Sequence, residues 1–161
     1  MVTVSDRVSG GAREDESGPA VAGALERAGF RVVQTRVVPD ERAGIEGALR
    51  DLAGTARLVV TTGGTGLGIR DVTPEATVAV VERIVPGLAE AMRAAGRPST
   101  PTADLSRGVV GVLGTSVVVN LPGNPNGAVE SLEAILPALS HALGELAGDD
   151  VHDAAHTHRA P

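Results

Sequence analysis

Leu58-Val59-Val60-Thr61-Thr62-Gly63-Gly64-Thr65-Gly66-Leu67-Gly68, continued by Ile69-Arg70-Asp71-Val72-Thr73-Pro74-Glu75, decides the fold by the order of its parts. The β-branched start reads as a buried strand, since such side chains lose little freedom on a pleated surface. The glycines that follow are too dense for helix or sheet. Thr73 and Pro74 then bring the capping oxygen and the fixed φ of a helix start. A buried strand, a glycine loop and a helix start in that order form the repeating unit of a parallel α/β sheet.

The same alternation extends in both directions. Val2–Ser5 reads as a first strand, and Asp6–Glu16 as a polar loop. Ser17 is expected to cap a helix with Pro19 in its first turn and Gly29 just beyond its end; Val21, Ala24, Leu25 and Ala28 share one face. Arg31–Val38 reads as a strand, and Asp40 as the cap of a helix carrying Ile45, Ala48, Leu49 and Leu52 on one side. Beyond Thr73, the spacing of Val78, Val81 and Val85 predicts one helical face, and Pro86-Gly87 restarts a helix that ends near Gly96. Val109–Leu113 and Val117–Leu121, split by Gly114-Thr115, predict a hairpin. From Pro125 to about Leu146, Val129, Leu132, Leu136, Leu139, Leu143 and Leu146 form a long apolar stripe. The expected fold class is α/β, a three-layer αβα sandwich with a mostly parallel sheet. Residues 1–147 form one domain on this reading, and 148–161 a mobile polar tail.

Composition narrows the chemistry. The chain has 161 residues, 42% apolar, with one aromatic residue (Phe30) and no Cys. Disulfides, thiol catalysis and cysteine metal sites are excluded, as are aromatic stacking platforms for single-stranded nucleic acid. A formal net charge of −6 argues against a nucleic-acid binder, which needs a basic face. The start of the chain lacks a basic, apolar leader, and no apolar run is long enough to span a membrane, so a cytoplasmic protein is expected. His141 is expected on the last helix, either exposed or at an interface; the spacing of His152, His156 and His158 suits either weak metal binding or a disordered tail.

In an open parallel sheet, ligands bind beyond the carboxyl ends of the strands. Residues 5–18, Pro39-Asp40, 61–73 and 120–127 fall there, all rich in Gly, Pro, Asp, Ser, Thr or Asn. Gly63-Gly64-Thr65-Gly66 is neither a P-loop nor a dinucleotide fingerprint. Two readings stand for it: a cradle of backbone N–H groups for phosphate, or a tight strand–helix turn. Asp71 is either an ordinary loop aspartate or a ligand for Mg²⁺, which would reconcile a carboxylate with a neighbouring phosphate. The 120–127 segment is a helix N-terminus behind a glycine turn, suited to an anion or to helix initiation alone. Arg7 and Arg70 are either phosphate counter-charges or solvated surface charges.

Several stretches taken together resemble the MogA/MoaB-type molybdenum-cofactor biosynthesis proteins, the superfamily that includes the N-terminal domain of gephyrin. They are Thr-Val-Ser-Asp-Arg (3–7), Asp-Glu-Ser-Gly-Pro (15–19), Val-Pro-Asp-Glu (38–41), Thr-Thr-Gly-Gly-Thr-Gly (61–66), Arg-Asp-Val-Thr-Pro-Glu (70–75) and Asn-Leu-Pro-Gly-Asn-Pro (120–125). The resemblance implies a molybdopterin-binding-like fold, a homotrimer, and a Mg²⁺-dependent reaction of ATP with molybdopterin that yields adenylyl-molybdopterin and pyrophosphate. It puts the two functionally important aspartates at Asp40 and Asp71, which are also the implied metal ligands. It puts the nucleotide and cofactor contacts at Ser5, Asp6, Thr62, Gly63, Gly64, Thr65, Gly66, Pro122, Gly123 and Asn124. Asp15, Ser17, Gly18, Arg7 and Arg70 are the further substrate candidates. The family loop often carries Ser or Gln where Asn124 stands here. The resemblance also implies a downstream molybdenum-insertion protein as a partner. A non-catalytic molybdopterin-binding scaffold of the MoaB type is the alternative, against which the presence of both Asp40 and Asp71 weighs.

Overall fold

Strands β3 (Leu58–Thr62) and β6 (Ser116–Leu121) lie side by side at the centre of a six-stranded sheet. The structure is a computed structural model and describes residues 1–148. β1 (Val2–Val4) pairs with β3, and β2 (Arg36–Val38) closes that edge. On the other side come β5 (Val110–Leu113) and β4 (Arg83–Ile84), giving the order β2-β1-β3-β6-β5-β4. β2, β1, β3 and β6 are mutually parallel; β5 runs against both its neighbours.

Period-two alternation sends successive side chains to opposite helical layers. Val60, Val117, Val119 and Leu121 pack with α2 (Ser17–Arg27), α5 (Pro86–Gly96) and α6 (Pro125–Ala147). Val59 and Val118 face α3 (Arg42–Ala53) and α4 (Thr73–Val78) with Val2 and Val4. The predicted stripe on α3 is fully in place: Ile45, Ala48, Leu49 and Leu52 are all buried. Each large member contributes about 1.5–3 kcal/mol. On α6, Leu132, Leu139 and Leu143 are buried while Val129, Leu136 and Leu146 pack at its margin, with Ala128 and Ile135 completing the face. Pro137 lies on the exposed side of α6, where the backbone acceptor it leaves unpaired can meet water. His141 is exposed there and pairs with Glu145 at 3.2 Å.

Several local expectations need correction. The 6–16 loop contains a one-turn helix, α1 (Asp6–Ser9), capped by the Ser5 hydroxyl, which accepts from Val8 N–H at 3.3 Å. Ser17 is inside α2; the carboxylate that accepts its free N–H groups belongs to Asp15, which receives Gly18 N–H at 2.8 Å. Only residues 36–38 of the expected 31–38 strand enter the sheet, paired with Val2–Val4 of β1. Asp40 does not cap α3: Glu41 takes that position, and the Asp40 side chain turns towards Asp6. Thr73 is the first helical residue of α4, with Val72 at the cap position.

The helix expected to run through Val85 stops at Val78, which is more than half exposed. The β-branched run beyond it feeds β4 instead, because pairing with β5 satisfies its backbone and buries Val80. Among the described residues, no helix is long and apolar enough to cross a membrane. Gly148 ends α6 in the left-handed conformation, at φ 75°. The rest of the expected tail, with His152, His156 and His158, lies outside the described residues.

Candidate active site

The carboxyl ends of β1, β2, β3 and β6 deliver their loops to one rim of the sheet. Two clefts open there. The first, about 720 Å³, is lined by Ser5, Asp6, Arg7, Asp15, Ser17, Asp40, Thr62, Gly63 and Arg70. The second, about 670 Å³, runs past Thr65, Gly66 and Pro122 to Met92, Arg93, Leu105 and Glu130 on the α5–α6 side. Gly64, Asp71, Gly123 and Asn124 line both. The predicted site residues thus come together, except Gly18, which is buried in α2 against Asp15 and Thr3.

Gly63 and Gly64 explain the shape of the shared wall. Their φ values are +96° and +63°, a region costly for residues with a Cβ. A Cβ on Gly63 would lie 2.3 Å from the Val4 carbonyl oxygen, and one on Gly64 2.3 Å from Thr73 Oγ1. The loop is pinned from below: Thr73 Oγ1 donates to the Gly63 carbonyl at 2.9 Å, and Thr62 Oγ1 to the Pro122 carbonyl at 2.9 Å. Under it, the fully buried Asn120 amide donates to Thr61 Oγ1 (3.1 Å) and Thr77 Oγ1 (2.9 Å), and its oxygen accepts from Val109 N–H (3.2 Å).

What remains unpaired is informative. The N–H groups of Gly64, Thr65 and Gly66 donate to no protein acceptor among the described residues. Across the junction the same holds for Gly123 and Asn124, at the start of the 23-residue α6. Adjacent free N–H groups form an anion nest, and the helix end adds favourable potential. The Asn124 side chain caps α6, accepting from Gly127 N–H at 3.1 Å.

The carboxylates divide into two kinds. Asp15 is occupied by Thr3 Oγ1 (2.6 Å), Ser17 Oγ (3.3 Å) and Gly18 N–H (2.8 Å). Asp6 receives a two-pronged contact from Arg70 (3.0 and 2.9 Å) and the N–H of Asp40 (2.9 Å). The Arg70 guanidinium beside it holds the Asp6 carboxyl below the usual aspartate range. Arg70, for which a phosphate counter-charge and a solvated surface charge were both open, is paired with Asp6 in this structure and is more than half exposed. Asp40 and Asp71 each accept one protein hydrogen bond, Asp40 Oδ2 from Asp6 N–H (2.7 Å) and Asp71 Oδ2 from Gly68 N–H (2.8 Å). Burial pushes the Asp40 carboxyl up, and the charges of Asp6 and Asp71 add to the shift. Each of these two aspartates keeps one oxygen without a protein donor among the described residues. The described residues hold no cluster of three potential metal-ligating side chains. Two carboxylates beside an anion nest are a donor set that fits Mg²⁺, which takes one or two carboxylates and fills its octahedron with phosphate oxygens and water.

Arg107 was not among the expected residues. It precedes β5, donates to the carbonyls of Gly66 (2.8 Å) and Asp71 (2.5 Å), and pairs with Glu75. The guanidinium holds the Glu75 carboxyl below its usual range. A signal for it existed: in a hairpin, β5 must run opposite to β6, so the residue before β5 lies at the ligand end of the sheet.

The profile of the family described as "Probable molybdopterin binding domain" matches residues 1–141. The chain belongs to this molybdopterin-binding family. Two curated relatives of this domain are molybdopterin adenylyltransferases. The Helicobacter pylori (strain J99) protein is 39% identical over 153 residues, covering 92% of this chain and 87% of its own. The Escherichia coli K12 protein is 43% identical over 143 residues, covering 86% and 73%. Among solved structures, the molybdopterin biosynthesis enzyme MoaB of Thermus thermophilus superposes with a TM-score of 0.86 at 49% identity, over 91% of this chain and 94% of that one. The α/β fold of this domain is thus the fold of the MoaB and MogA structures.

Proposed function

We propose that this protein is a molybdopterin adenylyltransferase, transferring AMP from ATP to the terminal phosphate of molybdopterin. The observation that carries the reading is the junction of the two clefts at Gly64, Asp71, Gly123 and Asn124. Two bulky ligands seated in separate clefts meet only at this junction, so transfer requires the α-phosphate of ATP and the terminal phosphate of molybdopterin to lie there.

An oxygen of the molybdopterin phosphate attacks the α-phosphorus of ATP. The bond from that phosphorus to the β-bridging oxygen breaks, and pyrophosphate leaves with the electron pair. No protein nucleophile is required. The chain supplies position and charge compensation, which suffice for phosphoryl-type transfer. The free N–H groups of Gly64, Thr65 and Gly66 donate to phosphate oxygens, as do those of Gly123 and Asn124. Asp40 and Asp71 would hold Mg²⁺, which would supply charge neutralisation for the phosphates. Asp6, fastened by Arg70, orients Asp40 through their reciprocal backbone bonds. Ser5 shapes this arrangement by capping α1. The apolar flank of the second cleft at Met92, Ala103 and Leu105 suits the face of a flat heterocycle, which both substrates carry.

The protein works in this reading as a cytoplasmic homotrimer that passes its product to a molybdenum-insertion protein. Incubation with molybdopterin and MgATP, followed by chromatography for adenylyl-molybdopterin, tests the central claim. Absence of product above background would refute it, and binding of molybdopterin without product would favour the scaffold alternative.

A further inference from the structure

We propose that Arg107 is a positioning residue for the adenylyl transfer, its guanidinium fork clamping both ends of the 66–71 loop so that Asp71 and the glycine nest hold their working geometry. The inference rests on the proposed reaction for its consequence and on the hydrogen bonds for its geometry.

One guanidinium spans three acceptors. Nε binds the Gly66 carbonyl at the entrance of the loop, and Nη2 binds the Asp71 carbonyl at its exit. Nη1 reaches Glu75 on α4. The backbone adds a fourth tie, from Arg107 N–H to the Thr65 carbonyl at 2.9 Å. Between these anchors two bonds are internal to the loop, Asp71 N–H to the Gly68 carbonyl (3.0 Å) and Gly68 N–H to Asp71 Oδ2 (2.8 Å), and one side-chain tie leaves it, from the exposed Arg70 guanidinium to Asp6 (3.0 and 2.9 Å). Leu67 and Ile69 point into solvent, Ile69 almost completely, so no apolar packing fixes the loop from outside.

The base of the clamp is rigid. Gly108 lies so close to β6 that a Cβ there would meet the Asn120 carbonyl at 2.7 Å. Val109 exchanges bonds with Asn120 in both directions, donating to its side chain and accepting from its backbone. Arg107 therefore carries the order of the central sheet into the loop that presents Asp71. A lysine cannot do this, because its single ammonium lacks a fork able to span separated acceptors.

Three variants test the proposal: Arg107→Ala, Arg107→Lys and Glu75→Gln. Hydrogen exchange of peptides covering residues 64–72 reads the loop, and calorimetric titration with MgATP at several Mg²⁺ concentrations reads the site. Arg107→Ala and Arg107→Lys are both expected to speed exchange about tenfold, the shift in opening equilibrium for one net hydrogen bond. Both should raise the Mg²⁺ concentration needed for half-maximal ATP binding and lower kcat by about 100-fold, a typical loss for a displaced catalytic constellation. Glu75→Gln keeps the two carbonyl contacts and should stay within about twofold of wild type on all three readouts. A general structural role would lower the thermal midpoint without altering the Mg²⁺ requirement of the folded protein. Wild-type exchange in Arg107→Lys, or an unchanged Mg²⁺ requirement in either Arg107 variant, overturns the clamp. If the wild-type protein binds no MgATP, the proposed reaction fails instead, and the exchange rates alone decide the role of Arg107.

Discussion

Gly63→Ala isolates the contact on which the shared wall of the two clefts depends. Two costs add. The φ of +96° is unfavourable for alanine by about 1–2 kcal/mol. The new Cβ would also stand 2.3 Å from the Val4 carbonyl oxygen, a backbone atom at the end of β1. An ordinary carbon–oxygen approach is about 3.3 Å, so one strand must move by roughly 1 Å. β1 is wedged between β2 and β3, and such a shift loosens two or three ladder or loop bonds, at about 1 kcal/mol each. The expected destabilisation is about 3–5 kcal/mol. Gly29→Ala provides the control: its φ is +87°, but a Cβ there meets nothing within 4 Å. That variant should lose only the conformational part, about 1–2 kcal/mol. Urea unfolding of both variants reads the difference, at one protein concentration because subunit association would be linked to unfolding. The thermal midpoints should differ by roughly 4–12 °C. If Gly63→Ala falls within about 1 kcal/mol of Gly29→Ala, the contact with Val4 is not what demands glycine, and the argument for a rigid wall fails.

Asp71→Asn should reduce turnover by about 100-fold while molybdopterin binding changes little; parallel losses in a binding titration and a single-turnover assay would place Asp71 in the pterin pocket instead. Asn120→Leu strands the Thr61 and Thr77 hydroxyls and the Val109 N–H, and should cost about 2–4 kcal/mol of stability by urea unfolding; a neutral result would mean the hydroxyls find new partners. Asp40 supplies a pH test. Its carboxyl is raised, chiefly by burial, so its contribution favours the fold in acid and is lost as pH rises through its folded value. Asp40→Asn should therefore unfold at higher urea than wild type near neutral pH, and the advantage should vanish below the ordinary aspartate value of about 3.9. A pH-independent difference between the two proteins would contradict this assignment.

The elements that the sequence made legible are those set by repetition. The β-branched runs at 58–60 and 117–121 are strands, and the stripes on α3 and α6 are buried, because burial on a sheet or one helix face imposes a period that any single residue can break only locally. The misjudged elements are those where two local rules competed. Val78, Val81 and Val85 keep helical spacing, yet the open edge of β5 offered the backbone a better partner in β4. Asp40 precedes a helix and looks like its cap, but a tertiary partner 34 positions away takes its carboxylate. Positions such as Ser5, Asp40, Gly63 and Asp71 were legible as a cluster through the strand-end rule. Arg107 could be placed at the ligand end by the hairpin but its partners could not, and Asn120 was legible as a strand-end residue but not as the buried amide that ties Thr61 to Thr77, since those partners are more than ten residues away.

The carboxylates show why composition alone misleads about such a site. A chain with six more acidic than basic side chains appears ill suited to hold two phosphorylated ligands. The structure removes most of that conflict before any ligand arrives. Asp15 serves α2, Asp6 is held by Arg70, and Glu75 is held by Arg107. Their charges are compensated by partners built into the rim. Asp40 and Asp71 remain, each with an oxygen facing no protein donor, and the first is already burdened by burial and by its acidic neighbours. A carboxylate raised in this way gains more from a cation than an ordinary one, because the same charge that repels its neighbours attracts the metal. ATP binding should therefore depend on Mg²⁺ more steeply in the wild type than in Asp40→Asn. Titrations with ATP over a range of Mg²⁺ concentrations read this directly, and equal dependence in the two proteins would mean that Asp40 acts through its bond to Asp6 rather than through its charge.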